Sequence, residues 1–200
     1  RQRQMCIRDR YGENPNKAVR AFTKPFHEAG IQTHMLDRGL NGLRMYPVPA
    51  DVRRLMYKVK HAQGVDITRI FCGLNEVRNI IPSIHYALEA GMIPQATLCI
   101  TFSPVHTVEY YTAIAERLIE AGAPEICLKD MAGVGRPEML GRLTKAIKER
   151  HPEIIIQYHG HSGPGLSMAS ILEVCENGAD IIDVAMAVSY THLTLPTTER

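Results

Sequence analysis

His159 and His161 stand two apart at the end of the run Ile154-Ile155-Ile156-Gln157-Tyr158 and are followed by Ser162-Gly163. Side chains two apart on a strand share a face, so both imidazoles can reach one ion. A second run, Glu125-Ile126-Cys127-Leu128, leads into Lys129-Asp130-Met131-Ala132-Gly133. Each passes into polar, Gly-containing sequence and then a helical pattern, the mark of a β-strand feeding a loop at its C-terminal end. Taken singly, these residues have plain structural uses. Histidines satisfy loop positions, a lysine after a strand is solvated, and an aspartate there caps a helix. At the same end of neighbouring units, they become candidates for one reactive site.

The elements that must position them follow one grammar. A helical pattern from Asn14 to Gly30, interrupted by Pro25, is followed by a strand over Ile31–Leu36 and a helix over Pro49–Gln63 stopped by Gly64. Strands are expected over Asp66–Phe71, Gln95–Thr101, Glu125–Leu128, Glu153–Tyr158 and Asp180–Ala185. Helices are expected between them over Glu76–Ala90, Val105–Ala121, Arg136–Arg150 and Leu166–Asn177. Strand starts recur at intervals of roughly 30 residues, which defines a βα array with a parallel sheet. Near-continuous apolar strands fit a sheet covered on both faces.

On period alone, a doubly wound sheet and a (β/α)8 barrel both stay open. The sequence holds no G-x-G-x-x-G or G-x-x-x-x-G-K-[ST], the usual nucleotide reason for an open sheet. A complete barrel takes about 250 residues, so a barrel here is short by about two units.

Composition narrows the class. A chain of 200 residues with 45% hydrophobic and 22% charged residues can bury a core, which excludes disordered and collagen-like classes. A net charge of +2 on scattered basic residues implies neither nucleic acid nor a membrane surface as partner. No apolar run approaches the roughly 20 residues of a membrane helix. Cys6, Cys72, Cys99, Cys127 and Cys175 show no C-x-x-C spacing. They read as small core hydrophobes in a reducing, cytoplasmic setting. Arg1 to Arg10 has four arginines but no apolar export region.

Four motifs carry a resemblance: Leu128-Lys129-Asp130-Met131-Ala132-Gly133, His159-x-His161, Phe71-Cys72-Gly73-Leu74-Asn75-Glu76-Val77-Arg78-Asn79 and Ser103-Pro104-Val105-His106-Thr107. Together they resemble the carboxyltransferase barrel of biotin-dependent enzymes, the family of the oxaloacetate decarboxylase alpha subunit and pyruvate carboxylase. The likeness runs from Gly12 to Ala187 and implies an incomplete (β/α)8 TIM barrel, an α/β fold of about six units matching strands three to eight. It further implies that Lys129 is carboxylated and holds a divalent metal (Zn, Mn or Co) with His159 and His161. The metal would polarise the carbonyl of pyruvate or oxaloacetate and stabilise the enolate that exchanges a carboxyl group with biotin.

The implied partners are a 2-oxo acid and a biotin carboxyl carrier domain or subunit. The complete protein would be a homo-oligomer, touching a membrane only through partner subunits if a decarboxylase. The Ser103–Thr107 run leans toward that decarboxylase. Arg38 matches a substrate-binding arginine at the end of the third strand. Arg69 matches another, but lies mid-strand, where an ion pair inside the barrel is an equal reading.

Some positions depart from the family pattern. Cys72 stands where an aspartate is usual, and Met45, beside Tyr46, where a tyrosine is usual. The first-strand Arg-Asp-x-x-x-Gln motif is absent, and the family's proton-shuttling threonine would lie beyond the C-terminal end. Residues 1–10 and 189–200 fit neither the repeat nor the family and read as non-native scars, leaving 11–188 as the partial domain. On that expectation the first and last strands are exposed edges, and the chain as written is inactive alone and prone to self-association. Metal lyases and condensing enzymes of the hydroxymethylglutaryl-CoA lyase type also carry His-x-His on a late strand but not a lysine at the position of Lys129. Activity on a CoA thioester without biotin would mark that alternative. Failure to bind any divalent metal would mark a non-catalytic α/β fragment.

Overall fold

The computed structural model describes Gly12 and residues 14–184. Its elements are α1 (Pro15–Glu28), β1 (His34–Asp37), a 3-10 turn (Gly39–Asn41), α2 (Ala50–His61), β2 (Ile67–Ile70), α3 (Val77–Glu89) and β3 (Ile93–Cys99). They continue as α4 (Val108–Glu120), β4 (Glu125–Asp130), α5 (Pro137–Arg150), β5 (Ile155–Gly160), α6 (Ser167–Glu176) and β6 (Ile181–Ile182). Helix starts follow local chemistry. Asn14 accepts the Asn16 N–H at 3.0 Å with Pro15 at the first helical position, and Thr107 accepts the Tyr110 N–H. Pro25 lies inside α1 without ending it.

The six strands form one parallel sheet in the order β1-β2-β3-β4-β5-β6. Strand order runs straight through without the reversal that a doubly wound sheet requires. The sheet is therefore six units of an incomplete (β/α)8 barrel.

The register sorts side chains onto two faces. Ile70, Ala96, Ile126 and Ile156 align in one row, and Leu98, Leu128, Tyr158 and Ile182 in the next. These rows join Ile80, Ile84, Leu118, Leu140, Leu143 and Ile147 of the helices in one core. The alternate residues make polar rungs: Arg69-Gln95-Glu125, then Thr97-Cys127-Gln157, then Cys99-Lys129-His159 nearest the C-terminal ends of the strands. Arg69 on β2 ion-pairs with Asp183, just past β6, through Nη1 at 2.7 Å. Strands four places apart are thus tied across the polar face, which makes that face the concave one.

Some boundaries differ from expectation. β1 begins at His34 rather than Ile31, because Thr33 is engaged before the ladder starts: its N–H goes to the Asp66 carboxylate at 2.6 Å, and its carbonyl accepts from Asp66 and Ile67. β5 runs on to Gly160, so His159 lies within the ladder rather than after it. β6 covers Ile181–Ile182, and Ala185 and the two proposed scars, 1–10 and 189–200, lie outside the described residues. Among the described residues β1 and β6 each pair on one side only, with Leu36 and Ile181 exposed. No helix described is long and apolar enough to cross a membrane.

Asp37 closes β1 with a buried carboxylate that accepts from Thr68 Oγ1 (2.5 Å), the Gly39 N–H (3.0 Å) and Tyr57 Oη (3.2 Å). Burial pushes its pKa up to about 6 against the opposing pull of those donors. Because the folded value lies above the unfolded one, this contribution to stability is complete at low pH and is lost as pH rises through about 6. Asp37→Asn removes the slope. Its unfolding free energy from urea titration, relative to wild type, should improve by about 1 kcal/mol from about pH 5 to about pH 8. A pH-independent difference would contradict the shifted carboxyl.

Candidate metal centre

The parallel register of β4 and β5 sets Lys129 beside His159 and Asp130 beside Gly160. Lys129 and His159 therefore project from the same rung of the concave face. Lys129 is 5% exposed, with Nζ 5.7 Å from the centre of the Phe71 ring. Burial lowers its pKa, and among its charged neighbours Arg69 pushes the same way. A larger share of neutral amine than a surface lysine offers is the result.

His159 is held from behind. Its Nδ1 lies 2.6 Å from Asp183 Oδ2, and its Nε2 faces His161 Nε2 at 3.2 Å. Two nitrogens each about 2.0–2.1 Å from a tetrahedral ion lie about 3.3 Å apart, so this spacing suits a shared metal. Burial, then His159 and Lys129, lower the pKa of His161 and favour its neutral, ligating form.

The β4 loop fixes His161. The His161 N–H donates to the Asp130 carbonyl at 3.0 Å, and the Asp130 carboxylate accepts from the Val134 and Gly135 N–H groups at 3.0 and 2.8 Å. Gly133 lies at φ +67, where a Cβ would overlap the His161 carbonyl and sit 2.8 Å from Pro164 Cδ. Asp130 thus anchors its loop, while Gly133 allows the close approach.

Lys129, His159 and His161 are brought to one place. Arg38 lies exposed at the same end of the sheet, with Nη1 2.6 Å from Met45 Sδ. Arg69 lies deeper, its Nε on Gln95 Oε1 at 2.5 Å and its Nη atoms on Asp183, so the ion-pair reading describes its contacts. Sequence reasoning missed Asp183. Burial alone would raise its pKa, but hydrogen bonds from His159 and Arg69 more than offset that and hold it well below the usual carboxylate range.

Among the described residues, no three His, Cys, Asp or Glu side chains converge as a metal site. Two imidazoles alone are too few for a stable centre. The donor set fits a divalent transition ion when Lys129 supplies oxygen in place of its ammonium.

The chain is a segment of a parallel βα barrel with paired histidines and a buried lysine at the C-terminal strand ends. Residues 74–187 match the HMGL-like family model, and the chain belongs to that family. A pyruvate carboxylase polypeptide of Methanocaldococcus jannaschii is 37% identical over 194 residues, covering 97% of this chain and 34% of that protein. The methylmalonyl-CoA carboxyltransferase 5S subunit of Propionibacterium freudenreichii is 34% identical over 183 residues, 91% of this chain and 36% of that one. The carboxyl transferase domain from Rhizobium etli pyruvate carboxylase, solved with pyruvate, superposes with a TM-score of 0.84 at 29% identity. That match covers 91% of this chain and 31% of the other. The chain spans about a third of the length of these relatives and is a partial domain. The motif-based resemblance to carboxyltransferase barrels is thereby shown.

Proposed function

We propose that this chain carries the metal-holding part of a barrel for carboxyl transfer between a 2-oxo acid and biotin borne on a carrier domain or subunit. The observation that carries it is the meeting of Lys129 and His159 on one rung, with His161 Nε2 facing His159 Nε2. Lys129, as neutral amine, attacks the carbon of CO₂. An N–C bond forms, a proton leaves the nitrogen, and the resulting carbamate offers anionic oxygen. Zinc, manganese or cobalt fits that oxygen with His159 and His161, and when bound supplies Lewis-acid polarisation of the substrate carbonyl. Arg38, cationic and accessible at the same end, would bind the substrate carboxylate, a reading its exposure supports. The relatives' names, pyruvate carboxylase and carboxyltransferase, support the reaction class, and the solved relative with pyruvate supports a 2-oxo acid.

The test uses a protein that carries this segment within a closed barrel. Biotin-stimulated decarboxylation of oxaloacetate should fall by about 100-fold or more in Lys129→Ala. Retained activity in that variant would overturn the assignment, and turnover of a CoA thioester without biotin would favour the lyase alternative.

A further inference from the structure

We propose that Asp183 is a positioning residue, which fixes the tautomer and direction of the His159 ring so that its Nε2 presents a bare lone pair to the space shared with His161. The inference deepens the metal-centre reading above and rests on it. Asp183 sits level with His159 because the β6 backbone continues beside β5, the Asp183 N–H donating to the Tyr158 carbonyl at 3.0 Å. Its Oδ2 meets His159 Nδ1 at 2.6 Å and accepts from Arg69 Nη1 at 2.7 Å. Its Oδ1 accepts from Arg69 Nη2 at 3.3 Å and from Gln157 Nε2.

Four donor contacts from β2 and β5 thus converge on one carboxylate, and an ionised carboxylate only accepts. The hydrogen between Asp183 and His159 must therefore belong to Nδ1, and in the neutral ring this leaves Nε2 unprotonated. In the metal-free protein His161 Nε2, at 3.2 Å, supplies the hydrogen in the bond between the two rings. With both Nε2 lone pairs offered to an ion, His161 would carry its hydrogen on Nδ1.

Arg69 completes the device. Its charge balances Asp183, and the same carboxylate orients the His159 ring through Nδ1. Gln95 holds Arg69 in turn through Nε at 2.5 Å. A carboxylate kept only for stability would need the ion pair with Arg69 but not the short contact to the one histidine nitrogen that faces away from His161.

The test is made on the full chain. Two-bond ¹⁵N–¹H spectra of the metal-free protein should show His159 protonated at Nδ1, and Asp183→Ala should shift it toward the Nε2–H form. Zinc affinity, by competition with a chromophoric chelator, should fall about 10- to 100-fold in that variant. Asp183→Asn, which keeps size and one acceptor oxygen, should give a smaller loss. Wild-type His159 in the Nε2–H form, or unchanged zinc affinity in Asp183→Ala, overturns the proposal. If Asp183→Ala fails to fold, the wild-type tautomer and Asp183→Asn decide by the same criteria. A wild type that binds no zinc yet shows Nδ1–H at His159 overturns the metal reading and supports the orienting role of Asp183.

Discussion

Replacing His161 with alanine should weaken divalent-metal binding, lowering zinc affinity by more than about 100-fold, beyond the usual cost of losing an orienting partner. His161 supplies one of the two imidazole nitrogens that face each other at 3.2 Å. Among the described residues no third His, Cys, Asp or Glu joins His159 and His161 in a metal-holding group. Its ring is only half-buried, at the rim rather than in the core, so stability without metal should change by less than about 1 kcal/mol. That difference separates loss of a ligand from loss of the fold. Equilibrium competition with a chelator and a urea titration on the same samples read the two quantities. Unchanged zinc affinity in His161→Ala would remove this residue from the centre.

The second large effect is expected at Gly133, which has no reactive group. Its φ of +67 is a left-handed conformation that costs about 1–2 kcal/mol for a residue with a Cβ. Added to that is the overlap with the His161 carbonyl, a backbone atom that cannot swing aside as a side-chain tip can. Gly133→Val should therefore destabilise the protein by about 3 kcal/mol or more and displace His161. The urea midpoint should fall, and the His161 amide resonance should move even in the metal-free state. A variant with wild-type stability and an unmoved amide would show that the β4 loop does not hold His161 in place.

The repeating grammar of apolar runs, caps and glycines was enough to place six strands and the helices between them, because burial on both faces and helix-cap chemistry leave local marks. The ends of strands were harder. β5 was expected to stop at Tyr158, where the apolar run ends, yet its ladder runs to Gly160 because β4 offers paired backbone groups as far as Asp130. Hydrogen bonding, unlike hydrophobicity, does not depend on side-chain type. That Lys129, His159 and His161 share one end of the sheet was legible from spacing and the parallel architecture, whereas a metal-holding role for Lys129 came only from the family resemblance.

Asp183 was not legible, although a signal existed. An aspartate inside the run Asp180–Ala185 and an arginine inside the run Asp66–Phe71 are both charges in apolar strands, and buried charges require partners. Their pairing spans 114 residues and follows only from the curvature that brings β2 opposite β6. Arg38 had a similar limit. The sequence placed it at a strand end, but its contact with Met45 depends on the turn through Gly39–Asn41 and the loop after it.

Ligation of one metal ion by Lys129, His159 and His161 is open to a spectroscopic test. Its most direct test is the X-ray absorption fine structure at the zinc edge of the zinc-loaded protein equilibrated with bicarbonate. Two imidazole nitrogens together with oxygen from the Lys129 carbamate are expected, with one imidazole lost in His161→Ala and an oxygen lost in Lys129→Ala. A spectrum with fewer than two imidazoles, or one that neither substitution changes, would contradict it.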